Sequence, residues 1–192
     1  MSEAVLAVLA VAACVYGASA MSKLRGQQAY RSYRAGLLQT RFVTNSSLPV
    51  FAACLVSCEV AVAACSAGAL AAVAISAPGA VIIAVLALGV GSALTVVLAA
   101  GVAVVMKRGI AARCACFGSS SGQQLGGAHL VRNGLLLALL ALGCACAAVG
   151  RGSLGGPALA ASLVWITAGL VVAAILIRWE DLAELFTPLT PG

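Results

Sequence analysis

Residues Pro49–Val105 read PVFAACLVSCEVAVAACSAGALAAVAISAPGAVIIAVLALGVGSALTVVLAAGVAVV, a stretch with one charged side chain, Glu59. Two apolar runs, Pro49–Ile75 and Ala80–Val105, flank Ser76-Ala77-Pro78-Gly79, where proline and glycine call for a tight turn. As a helix, each run is long enough to cross about 30 Å of hydrocarbon with some tilt. A soluble domain has too little polar surface to cover them, so the pair reads as a membrane-spanning hairpin.

The flanking chain has the same character. Residues 4–21 form another apolar run, and two more cover about 130–149 and 158–177. Of the 192 residues, 63% are hydrophobic and 8% charged, and mean hydropathy is +1.13; soluble domains carry about 25% charged residues. The expected fold is an all-α integral membrane protein, a compact bundle of about five transmembrane helices in a single membrane domain over 1–192, set in a lipid bilayer. Alanine and glycine recur in the runs, as at Gly89, Gly91, Gly134 and Gly143, which lets helix backbones approach closely. The first run ends in Ala18-Ser19-Ala20, like a leader cleavage site. Glu3 stands where a basic leader region belongs, so an uncleaved span with its N-terminus outside is expected.

Ser22–Thr44 carries Lys23, Arg25, Arg31, Arg34 and Arg41 and no acid, while Leu24, Tyr30, Tyr33 and Leu37 fall near one helical face. This segment reads as a basic amphipathic helix on the membrane surface, a reading compatible with a solvated basic loop. Five spans put it, the loop 106–129 and the C-terminal tail on one side. Eight Lys and Arg lie on that side between Lys23 and Arg113, against Arg151 alone in the opposite loops. The positive-inside rule then makes the loop cytoplasmic. No cluster of basic residues interleaved with aromatics occurs in a soluble segment, which argues against nucleic acid as a partner.

Six of the eight cysteines, Cys14, Cys54, Cys58, Cys65, Cys144 and Cys146, lie in apolar runs, where the residue is ordinarily a small packing unit. Cys114 and Cys116 instead share a polar loop with Lys107, Arg108 and Arg113, whose charges favour the thiolate. A disulfide across C-x-C closes a very small, strained ring that is easily reduced, which suits exchange better than stapling. Zinc is a poorer fit, because His129 is the one further ligand nearby and the second cysteine pair of a closed site is missing. Spacing alone leaves exchange and two plain loop thiols both open.

Glu59 is the one acid within the spans, so it should face the bundle interior with a partner or a proton. Arg132 and Lys23 are the candidate partners, in a structural ion pair or a proton relay. Cys54, Cys58 and Cys65 follow one helical stripe next to Glu59, so Cys58 is read as packing or as part of a buried redox relay. His129 sits at the loop-to-span junction, where it caps the interface or assists a thiol.

The sequence Cys114-Ala115-Cys116-Phe117-Gly118, with Leu130-Val131-Arg132-Asn133 entering an apolar helix, resembles the MauE family of methylamine-utilisation membrane proteins, relatives of DoxX-like proteins. Ser22-Lys23-Leu24 and Glu59 are similar in placement. The resemblance implies a four-helix core, with the fifth span outside it, and a role in maturing a disulfide-rich amine dehydrogenase beside a thioredoxin-like partner. It assigns exchange to Cys114 and Cys116 and a polar-core role to Lys23, Glu59 and Arg132, with Asn133 in the same motif. An exported client would want the dithiol outside, opposite to the charge bias.

Three functions follow from these readings. The first is a membrane thiol–disulfide exchange protein working with a thioredoxin-fold partner, with a quinone or the buried cysteines at the other end. The second is a non-catalytic scaffold or chaperone that recruits a partner through the basic Lys23–Arg41 segment. The third is a small proton-coupled transporter using Glu59, against which the lack of visible inverted repeats counts.

Overall fold

A computed structural model describes residues 2–110, 113–114, 123–124, 126–149, 159–179 and 181–182. Among these residues the elements run α1 (Ser2–Leu24), α2 (Gln27–Gln39), α3 (Leu48–Ala74), α4 (Ala80–Lys107), the two-residue strands β1 (Arg113–Cys114) and β2 (Gln123–Gln124), α5 (Gly127–Val149) and α6 (Leu159–Ile177). Five of the helices, all but α2, are long and apolar enough to cross a membrane. Their outward faces expose Val50, Ile82, Leu86, Val97, Leu142, Val164 and Val171, the inverse of a soluble protein and the pattern of a bundle solvated by lipid.

Helix α1 is the centre of the bundle. It packs against α3, α5 and α6 and meets α2 and α4 as well, burying Val5, Leu6, Leu9, Ala12, Val15 and Tyr16. A helix that is apolar all round has no solvent face to offer, and this one is enclosed by its neighbours. Lipid gives little drive for helices to associate, so close backbone approach has to hold them. Two glycines supply it. A Cβ at Gly143 would lie 2.7 Å from Cγ1 of Val8 and 3.0 Å from Cδ1 of Leu88. A Cβ at Gly169 would run into the carbonyl oxygen of Ala7, which explains how α6 seats itself on α1.

The turn between α3 and α4 closes as expected. Ser76 takes a left-handed φ of 52°, its N–H donates to Val73 O, and the Ala77 N–H donates to Ala72 O, so the last carbonyls of α3 are satisfied. Gly79, at φ 79°, then starts α4. Gly109, at φ 62°, ends α4 in the same manner, with bonds from Gly109 to Met106 and from Ile110 to Val105.

Helices α1, α4 and α5 run slightly longer than the apolar runs suggest, and one difference matters. The basic segment expected over 22–44 is divided: α1 continues through Lys23 and Leu24, the chain extends at Gly26 (φ 166°), and the surface helix is confined to Gln27–Gln39. Helix α2 buries Tyr33 against Ala52 and Val56 of α3, flanked by Tyr30 and Leu37, and exposes Gln27, Gln28 and Arg31. It is therefore an amphipathic helix laid across the bundle end where α1 finishes and α3 begins.

Candidate functional site

The helical repeat places Ser19 one turn before Lys23 on the same face of α1. Across the interface stands Glu59 of α3. The Lys23 ammonium donates to both Glu59 oxygens, at 2.6 Å to Oε1 and 2.5 Å to Oε2, and to Ser19 Oγ at 2.8 Å. Ser19 in turn donates to Glu59 Oε1 at 3.1 Å. Lys23 is 2% exposed and Glu59 4%, so this is a buried ion pair with all three ammonium hydrogens engaged. The Tyr33 ring of α2 lies over the ammonium, 5.2 Å from nitrogen to ring centroid, and closes that side.

The pair lies at one end of a cavity of about 190 Å³ enclosed by α1 to α5. His129, Arg132 and Asn133, all buried on the first turns of α5, line the same end. Arg132 is near enough to Lys23 for their charges to interact. The remaining walls are apolar, with Leu37 from α2, Leu55 from α3, Leu98, Val102 and Val105 from α4 and Leu136 from α5. Phe51 of α3 and Val97 of α4 both line the cavity and are exposed, so it opens sideways between those helices toward lipid. Deeper in, the Tyr16 hydroxyl lies 2.6 Å from Gly91 O and 2.5 Å from Thr95 Oγ1, and Thr95 Oγ1 is 2.8 Å from the same carbonyl.

Burial, reinforced by the Glu59 charge, pushes the Tyr33 phenol well above its ordinary value. It stays a neutral donor at any physiological pH. At the rim, the Arg108 guanidinium packs 5.5 Å from the centroid of Phe42, a cavity residue, and so links the end of α4 to the segment after α2.

Lys23, Glu59, Arg132, His129 and Asn133 are thus brought to one place. Ser19, Tyr16, Tyr33 and Thr95 join them, although the sequence named none of the four as a site residue. Ser19 carried a readable signal, four residues before Lys23 on one helix face; Tyr16 and Thr95 meet only through the packing of α1 on α4. Cys58 does not join the cluster: it lies with Cys54 and Cys65 on the exposed face of α3, while the neighbouring Glu59 turns inward. The backbone of Cys114 pairs antiparallel with Gln123, and that of Arg113 with Gln124, in a short ladder that packs against α2. Cys116 lies outside the described residues.

No curated protein and no solved structure matched the chain. The family model described as methylamine utilisation protein MauE matches residues 1–146, which include α1 to α4, nearly all of α5, and every residue of the polar cluster, and leave α6 outside. With three quarters of its length matched, and with helices built to cross a bilayer, the chain belongs to the MauE family of methylamine-utilisation membrane proteins.

Proposed function

We propose that this protein is a membrane thiol–disulfide exchange protein that uses Cys114 and Cys116 to oxidise a thioredoxin-fold partner in the maturation of a disulfide-rich client. A partner thiolate attacks the Cys114–Cys116 disulfide, a mixed disulfide forms, and the second partner thiol resolves it. Two electrons and two protons pass to Cys114 and Cys116, and the partner leaves with its own disulfide closed.

The observation that carries this reading is the placement of Cys114. Its strand rests on α2, and α2 roofs the cavity holding Lys23 and Glu59, so the Cys114 backbone and the polar cluster share one end of the bundle. Arg108 and Lys107 at the end of α4 are exposed on the same side and favour a thiolate there. The orientation follows from charge: α2 and the C-terminal end of α4 carry basic residues, so this end is expected to face the cytoplasm.

Trapping of the mixed disulfide tests the reading. Cys116→Ser or Cys114→Ser should accumulate a covalent complex with one thioredoxin-fold protein, released by reductant. If neither variant traps a partner and both support client maturation at the wild-type level, the exchange reading fails. Full maturation by the double variant, with the partner still captured non-covalently, would instead favour a scaffold that docks its partner on the exposed Arg31 face of α2.

A further inference from the structure

We infer that the cavity beside the Lys23–Glu59 pair binds the head of a lipid-soluble quinone, which enters from the bilayer between α3 and α4. Three observations point to that class of ligand. The mouth at Phe51 and Val97 opens on the lipid-facing side, so the occupant arrives dissolved in hydrocarbon. The walls are mostly apolar, with polar groups gathered at the Lys23–Glu59 end and the Tyr16 and Thr95 hydroxyls already bonded to each other and to Gly91 O, which matches a molecule with an isoprenoid tail and a compact polar ring. At about 190 Å³ the space suits one ring, not the branched head of a two-chain phospholipid.

The polar end fits a dione. Lys23 has spent its three hydrogens on Glu59 and Ser19, so it acts as fixed charge. The Asn133 amide lines the same end and carries N–H donors, and a quinone carbonyl offers acceptors only.

The redox role of the site rests on the exchange reading above; the binding itself does not. A dithiol that has oxidised its partner must lose two electrons and two protons before it can act again. A quinone accepts both: the Cys114 and Cys116 thiols close to a disulfide and the quinone leaves as quinol.

Titration of the purified full chain with decylubiquinone, in nanodiscs free of endogenous quinone, tests the inference. Saturation at one quinone per chain is expected. Gly101→Phe should weaken binding at least tenfold, because Gly101 lines the cavity and a Cβ there meets no atom within 4 Å, so the new ring fills the space without disturbing the ion pair. Asn133→Leu should weaken it as well, and Cys114→Ser/Cys116→Ser should leave it intact. Unsaturable uptake, or an affinity unchanged by both Gly101→Phe and Asn133→Leu, overturns the quinone site whatever the dithiol does. Loss of partner exchange with quinone binding preserved overturns the exchange reading and leaves the site standing.

Discussion

Lys23 and Glu59, thirty-six residues apart in sequence, bring their charges to 2.5 Å at the junction of α1 and α3, and Ser19 completes the contact. Removing the carboxylate strands a buried ammonium. Glu59→Leu should therefore cost about 3–5 kcal/mol of stability. Lys23→Met/Glu59→Leu should recover most of that loss, since the ammonium is removed together with its carboxylate. Chemical denaturation in detergent, closed into a double-mutant cycle, reads both numbers, and a double variant no more stable than the single would show that the pair is not the source of the cost.

Helix contacts depend on missing side chains at particular points. Gly143→Val should lose about 1–3 kcal/mol, because its branches enter the space held by Val8 and Leu88. Gly134→Ala should gain about 0.5–1 kcal/mol, because nothing lies within 4 Å of a Cβ there. Thermal unfolding of the two variants side by side checks the sign of each.

Ser76 holds a left-handed backbone at the end of α3 that glycine adopts without cost. Ser76→Gly should stabilise the protein by about 1 kcal/mol. A loss of stability would mean that the hydroxyl supports the turn in a way the bonds to Val73 and Ala72 do not describe.

Burial and the Glu59 charge hold the Tyr33 phenol protonated above its ordinary value of 10.0. The unfolded chain then loses that proton first as pH rises. Stability due to Tyr33 is thus complete below pH 10 and declines above it. Comparing wild type with Tyr33→Phe from pH 9 to 11 isolates this group from titrating lysines, and the wild type should lose more stability over that interval.

The spans were readable because charge-poor runs of about 20 residues have few other uses. Glu59 announced its need for a partner for the same reason. What stayed hidden were directions around helix axes. Choosing Lys23 over Arg132 depends on α1 remaining helical past Ser22, which a segment so basic does not advertise. The cysteine stripe of α3 could face inward or outward, because in lipid both faces of such a helix are apolar and the usual amphipathic cue vanishes. The Tyr16–Thr95 contact arises from the packing of two helices far apart in the chain, and no local pattern encodes it.

Orientation bears on the proposed exchange, since the charge bias places Cys114 on the cytoplasmic face, whereas an exported client of the kind the resemblance implies would need it outside. An impermeant maleimide settles the side in intact cells, with the other seven cysteines replaced so that only Cys114 reports. No labelling until the cells are permeabilised is the expected result. Labelling from outside would reverse the charge-based orientation.

The most direct measurement is the redox state of the Cys114–Cys116 peptide in membranes quenched with acid, alkylated and weighed by mass spectrometry. During client maturation the peptide should divide between an unmodified disulfide and a doubly alkylated dithiol, shifting to the dithiol when the oxidant is withdrawn. A peptide that is doubly alkylated under every condition, with maturation proceeding, would contradict thiol exchange.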